Sequence, residues 1–398
     1  MTPAGLTAGG LPDREAGAVL APYLREEATA FLRALAPREG ELGRPQDDTA
    51  ESGRRMRRSA RRIAGTLHTF GSLTDPGWAD PLRAELGWLT DTLGREHRYA
   101  ARLGRLIGAL QRLASAEDAG GIPAAPLPAD DDLGLWLPVP TTAPDPAAAA
   151  SEASRERPGG VAEAPEPLTA VARAAANRRS PAPPQATERG AAASGPLAVG
   201  AARAGALLER QLTLARTRAH SAALQAMGSS RFHAVVDAVA VLASEVPLSP
   251  AARKPAATVL PLLAEQAHAR LTEAAAALPL PRARHPYNGE TLHAALAGEL
   301  PTERQDAAWN RVRVLLRLRR YAQEVLAYDD QDSAARLAAA ARVLEQHREA
   351  AEAAAAVTAA ARTPRIAPAT AYALGVLHSD QRLEVEAARY AFAHLWTR

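Results

Sequence analysis

Six arginines crowd into the nine residues RRMRRSARR, which open the segment from Arg54 to Phe70. Wound as a helix at about 100° per residue, the segment gathers Arg54, Arg55, Arg57, Arg58, Arg61 and Arg62 on one arc. Met56, Ala60, Ile63, Leu67 and Phe70 fall on the other. The chemistry open to such a face is anion binding. Each guanidinium is a planar fork of donors that matches phosphate or carboxylate oxygens and stays charged at any physiological pH. Almost no acid stands nearby in the sequence to pair with this row, so its charge is expected to be available to an external anion.

A second segment repeats the design. In TERQDAAWNRVRVLLRLRRYAQEVL, starting at Thr302, the residues Asn310, Arg313, Arg317, Arg320 and Glu324 share one narrow line of a helix. Val314, Leu315, Leu318, Tyr321, Ala322 and Val325 lie opposite and are expected in the core. Spacings of three and four put neighbouring guanidiniums roughly 5 to 6 Å apart at their roots, close enough to share a polyanion. Glu324 is expected to pair with Arg320. A third helical segment, running to about Leu113, carries Arg95, Arg98, Arg102, Arg105 and Arg112 on one side. The competing reading is that each stripe is a solvated helix face, with His97 and His347 as capping or packing residues.

The elements that must position these stripes are helical. The chain of 398 residues is 47% hydrophobic but only 4% aromatic, with alanine prominent, and it contains no cysteine. Alanine and leucine favour helices while β-branched and aromatic residues are sparse, so an all-α fold is expected. Thiolate metal sites and disulfides are excluded, and a reducing cytoplasm is compatible. No apolar run approaches the roughly 18 to 20 residues that cross a bilayer. The N-terminus, MTPAGLTAGG, lacks the basic and apolar regions of a secretion signal. The formal charge is +3 and nearly every basic residue is arginine, with Lys254 the single lysine.

Asp13 is the expected cap of a first helix with apolar residues from Ala18 to Leu32, and Asp47, Asp48 or Thr49 of the arginine helix. Gly71, Pro76 and Pro81 break the chain around Trp78. Residues 116–195 are rich in Pro, Ala and Gly without helical period and are expected to form a disordered insertion. Residues 1–115 and 196–398 then form the two helical parts. Gly228 ends a helix after the insertion, and Ser229 or Ser230 caps the next. REHRYAA at Arg95 to Ala101 echoes EQHREAA at Glu345 to Ala351, each following an arginine-striped helix, which suggests internal duplication.

On these residues the chain resembles the CHAD domain, the conserved histidine α-helical domain. The family's His-x-Met-Arg motif leading into paired arginines is matched by Met56, Arg57, Arg61, Arg62, Leu67 and Phe70. Its Trp-His-x-x-Arg pattern leading to a basic residue and Arg-Tyr is matched by Trp309, Arg311, Arg313, Arg317, Arg320 and Tyr321. Ser230, Arg231 and Phe232 resemble its Ser-x-Arg-aromatic stretch, and the Leu-Gly turns are met loosely at Leu93 to Arg98 and Leu344 to Glu349. Arg54 and Asn310 replace the two name-giving histidines, Arg98 and Glu349 stand where acids follow the turns, and Ala64 replaces an arginine. His347 stands where the family has a histidine.

The resemblance implies two pseudosymmetric helical bundles around a basic concave surface that binds inorganic polyphosphate. The implied binding set is Arg54, Arg57, Arg58, Arg61, Arg62, Arg98, Arg102, Arg311, Arg313, Arg317, Arg320 and His347. No cofactor, metal or membrane enters this reading, and the expected location is the bacterial cytoplasm, with polyphosphate granules as a site of association. Two alternatives remain open: a nucleic-acid or other polyanion binder using the same face, and a degenerate CHAD scaffold without binding. An enzyme would need clustered carboxylates for a metal, or a nucleophile with a base. The sequence shows no Gly-x-x-x-x-Gly-Lys loop and no Ser-His-Asp signature, so a non-catalytic binder is expected.

Overall fold

The start of the first helix shows how the chain ties distant segments together. The backbone N–H of Ala16 donates to the Lys254 carbonyl at 2.8 Å, and Ala256 donates to Arg14 at 2.8 Å. This exchange satisfies an N–H that the helix itself leaves open, so no side-chain cap forms there. The computed structural model describes residues 14–35, 45–118, 196–285, 302–326 and 331–396. Asp13, the expected cap, and nearly all of the expected insertion at 116–195 lie outside the described residues.

The described residues form ten α-helices and no strand beyond two isolated bridges. In order these are α1 (Ala16–Arg33), α2 (Pro45–Thr69), α3 (Pro76–Asp118), α4 (Pro196–Met227), α5 (Ser230–Ser244) and α6 (Ala256–Ala276), followed by α7 (Leu280–Arg284), α8 (Thr302–Leu326), α9 (Gln331–Ala361) and α10 (Pro368–Trp396). The fold is all-α, as expected. Helix α2 begins at Pro45, so Asp47, Asp48 and Thr49 lie inside its first turns rather than at its cap, which suits a proline at the first helical position. Helix α3 likewise starts at Pro76, before Pro81, and runs unbroken past Gly94 to Asp118. Ser229 does cap α5, its Oγ accepting from the Phe232 N–H at 3.2 Å.

All described helices belong to one compact unit. Helices α1, α2, α3 and α4 pack each on the next, and α6, α8, α9 and α10 repeat that order. The two series meet where α2 packs on α8 and α4 packs on α10. The first core joins Leu20, Leu24 and Phe31 of α1 to Ile63 and Leu67 of α2, Phe70 just after it, Leu86 of α3 and Val239 of α5. A second joins Leu106 of α3 to Leu208, Val357 and Leu377, and a third surrounds Trp309, Leu344 and Phe392. Helix α3 is thus shared between two cores, which its length of 43 residues permits.

At the crossing of α2 and α8 the helices come unusually close. A Cβ placed on Gly65 would lie 2.5 Å from Tyr321 Cδ2 and 3.3 Å from Leu318 Cδ2. Only glycine leaves that room, and the approach brings the two arginine-bearing helices side by side.

Candidate functional site

Helix α2 is rotated as its pattern requires. Met56, Ala60, Ile63, Leu67 and Phe70 are buried, so the arginine arc faces away from the first core. Helix α8 is rotated differently from expectation: Trp309, Val312, Leu316, Ala322 and Val325 are buried, while Val314 is 44% exposed. The difference follows from Trp309, which fills the third core against Phe392 and so fixes the helix's setting.

The arginines divide into braced and unbraced ones, and the expectation that few acids pair with the α2 row needs correction. Glu51, one turn earlier, takes Arg54 at 2.8 Å and Arg55 at 3.1 Å. Arg62 is held between Glu27 of α1 at 3.1 Å and Glu324 of α8 at 3.0 Å. Glu324 also accepts from Tyr23 Oη at 2.9 Å, so it braces three helices instead of pairing with Arg320. The α3 stripe is likewise an ionic seam. Arg95 and Arg98 bind Asp91 at 2.6 Å each, and Arg102 reaches Glu352 of α9 at 2.5 Å. Arg105 pairs with Glu384 of α10, and Arg112 lies 3.5 Å from the same acid.

The unbraced arginines of α2 and α8 cluster with paired ones, Arg98 of α3, Arg313 of α8 and Arg348 of α9, where these four helices converge. Burial lowers the pKa of Arg57, and the neighbouring charges of Arg61, Arg98 and Arg54 lower it further. Burial also lowers the pKa of Arg61, partly offset by a hydrogen bond with Tyr321, while Arg317 of α8 pushes it down again. Arg313 is desolvated too, and meets Glu345 of α9 at 3.1 Å with Arg317 and Arg348 close by. Partial desolvation lowers the pKa of His97, and the charges of Arg57, Arg54 and Arg348 lower it further against an opposing pull from Glu96. Guanidiniums from four helices therefore face one another. Among the described residues Arg57, Arg58, Arg61, Arg311, Arg317 and Arg320 form no ion pair with a carboxylate.

Gly94 of α3 makes room for this crowding. A Cβ there would stand 2.8 Å from Arg98 Nη1 and 3.4 Å from Arg57 Nη1. Arg58 and Arg311 are exposed at the edges, and Arg320 is half-buried further along α8.

His347 is placed elsewhere. Only 1% exposed, it stacks on Trp309 with ring centroids 5.6 Å apart, and its Nε2 lies 3.3 Å from Arg389 Nε and 3.4 Å from Asp306 Oδ1. Burial lowers its pKa, against the pull of Asp306. Asp306 in turn holds Arg389 at 2.7 Å and Arg382 at 2.9 Å. The residue is thus part of a buried network joining α8, α9 and α10, and does not reach the arginine cluster. His97, its partner in the sequence echo, is exposed beside the cluster.

Arg348 and Glu345 were not singled out by the sequence reasoning. The signal lay in EQHREAAE, Glu345 to Glu352, where an arginine flanked by glutamates three residues before and four after can pair along one helix face. Among the described residues, no three His, Asp or Glu side chains gather as a metal site requires, and no helix is long and apolar enough to cross a membrane.

The sequence model of the CHAD domain matches residues 26–357, well over half of the chain. The protein belongs to the CHAD family. Among solved structures it is similar to PptA from Streptomyces chartreusis, at 44% identity and a TM-score of 0.65, over 96% of this chain and 100% of that one. No curated protein matches. Arg54 is turned to Glu51, and Asn310 Oδ1 accepts weakly from Arg313 Nε at 3.4 Å.

Proposed function

We propose that this CHAD protein binds inorganic polyphosphate without catalysis, on the face where α2, α3, α8 and α9 converge. The observation that carries the reading is the pair Arg57 and Arg61. They are partly desolvated, stand against like charges, and have no carboxylate in contact among the described residues. Such an arrangement is costly in the free protein and is relieved by a bound polyanion. Arg313, Arg317, Arg320 and Arg98 extend the row, Arg54 and Arg58 flank it, and Arg311 lies at the rim. Arg62 and Arg102 act as braces, held by Glu27, Glu324 and Glu352.

Guanidinium forks would bind the chain through paired hydrogen bonds to successive phosphates, with released counterions adding to affinity. Duplex nucleic acid offers the same charge. Sequence-tolerant binding of single strands relies on exposed aromatic platforms, and here Trp309, Phe31, Phe70 and Phe392 are in the cores. In the same reading the protein works in the bacterial cytoplasm, at polyphosphate granules. The test is direct competition between long-chain polyphosphate and duplex DNA for the labelled protein at physiological salt. Polyphosphate is expected to bind at micromolar affinity or tighter and to displace DNA. Preferential retention of DNA overturns the proposal, and release of orthophosphate from the polymer overturns its non-catalytic part.

A further inference from the structure

Glu345 sits inside the arginine cluster in the manner of a ligand. Its Oε1 accepts from Arg348 Nε at 2.9 Å and Nη2 at 2.6 Å, and its Oε2 accepts from Arg313 Nη1 at 3.1 Å. Two oxygens of one anion thus bridge guanidiniums from α8 and α9, as two oxygens of a phosphate would. Arg317 and Arg61 lie close enough for the carboxylate to act on them. The Glu345 side chain is 41% exposed, whereas those of Arg313 and Arg348 are 17% and 13% exposed. The cations are therefore fixed in the surface and the acid is the movable partner. Arg348 keeps a second hold on Glu352 at 2.7 Å, so it stays in place if Glu345 swings away.

We propose that Glu345 is a built-in competitor of the bound anion: it fills a phosphate position between Arg313 and Arg348, and an anion using those two arginines must displace it. This rests on the polyphosphate reading above. Exchanging one carboxylate for one phosphate on the same two guanidiniums gains little, so a short phosphate is held weakly. A long chain gains from Arg57, Arg61 and Arg317 as well, and has registers that leave Glu345 in place. Glu345 therefore acts as a filter for chain length, favouring polymers over free phosphate and short oligomers.

The test compares the parent protein, Glu345→Gln and Glu349→Gln, with tripolyphosphate and long-chain polyphosphate as probes, in titrations at several salt concentrations. Glu349 is the control, because it lies one turn along the same helix but contacts Arg348 and Arg105 only at 3.8 and 3.9 Å. Glu345→Gln is expected to bind tripolyphosphate about tenfold more tightly and the long chain less than that, with the salt slope steeper by about one. Glu349→Gln is expected to change either affinity less than about twofold. If the parent binds long-chain polyphosphate and Glu345→Gln matches it, binds more weakly, or merely equals Glu349→Gln, the competitor role falls and the polyphosphate reading stands. If neither parent nor Glu345→Gln binds either probe, both fall. Thermal unfolding of each variant guards against loss of fold, since a purely structural role predicts a lower Tm with weaker binding.

Discussion

Gly65→Ala sets two effects of known size against each other at the place where the two arginine-bearing helices cross. Replacing glycine by alanine inside a helix stabilises it by about 0.5 to 1 kcal/mol. Against this, the new methyl would stand 2.5 Å from Tyr321 Cδ2, 3.0 Å from Cε2 and 3.3 Å from Leu318 Cδ2. Overpacking of that kind costs about 1 to 3 kcal/mol, and a ring pressed between two helices has little freedom to turn away. The clash should win by about 1 to 2 kcal/mol. For a domain of this size that is a fall in Tm of roughly 1 to 4 °C. Gly87→Ala on α3 is the control, because nothing lies within 4 Å of its Cβ position. It should gain about 0.5 to 1 kcal/mol and raise Tm slightly. Urea unfolding of parent, Gly65→Ala and Gly87→Ala, with the slope held constant, measures both signs. A Gly65→Ala protein as stable as Gly87→Ala would refute the close crossing. Since Tyr321 also touches Arg61, a shifted ring should weaken polyphosphate binding a few-fold.

Three further outcomes follow from the braces and the buried network. Burial alone would raise the pKa of Asp306, but its contact with His347 and the hydrogen-bonded charges of Arg382 and Arg389 hold it at about 2, against an ordinary 3.8. Its ionised form thus adds about 2 kcal/mol of stability, fully present above pH about 4 and lost as pH falls through about 2. Asp306→Asn should flatten the acid limb of a stability profile there while lowering stability at pH 7. Arg62→Gln strips Glu27 and Glu324 of a shared cation and should cost about 1 to 3 kcal/mol by chemical unfolding, with polyphosphate affinity changed less than about twofold. His347→Ala opens a void beside Trp309 and should cost about 2 to 3 kcal/mol, leaving the affinity of the folded fraction unchanged. A large loss of affinity with intact stability would restore His347 to the binding set.

The all-α architecture and the core face of α2 were legible in the sequence because each depends on local propensity and spacing. The roles of individual arginines were not. Arg62 and Arg102 look like any other member of their stripes, and the acids that hold them, Glu324 and Glu352, are far away in the chain and near only in space. The setting of α8 was misjudged because Val314 and Trp309 are both apolar and compete for the core, and only the packing of Trp309 on Phe392 and His347 decides between them. The echo between His97 and His347 was visible, but burial separates them: one lies exposed beside the cluster and the other in the third core. Arg348, missed entirely, is a cluster member because α9 returns against α8.

The most direct measurement is the salt dependence of polyphosphate binding by the parent and by the combined variant with Arg57, Arg61, Arg313 and Arg317 changed to Ala. Steep loss of parental affinity with salt is predicted, and the variant should lose about a hundredfold in affinity at physiological salt, with a slope smaller by about three to four. Because Arg57 and Arg61 repel their neighbours in the free protein, Arg57→Ala and Arg61→Ala taken singly should bind less without losing stability. Equal affinity and equal slope in parent and combined variant would contradict a polyphosphate site on this face.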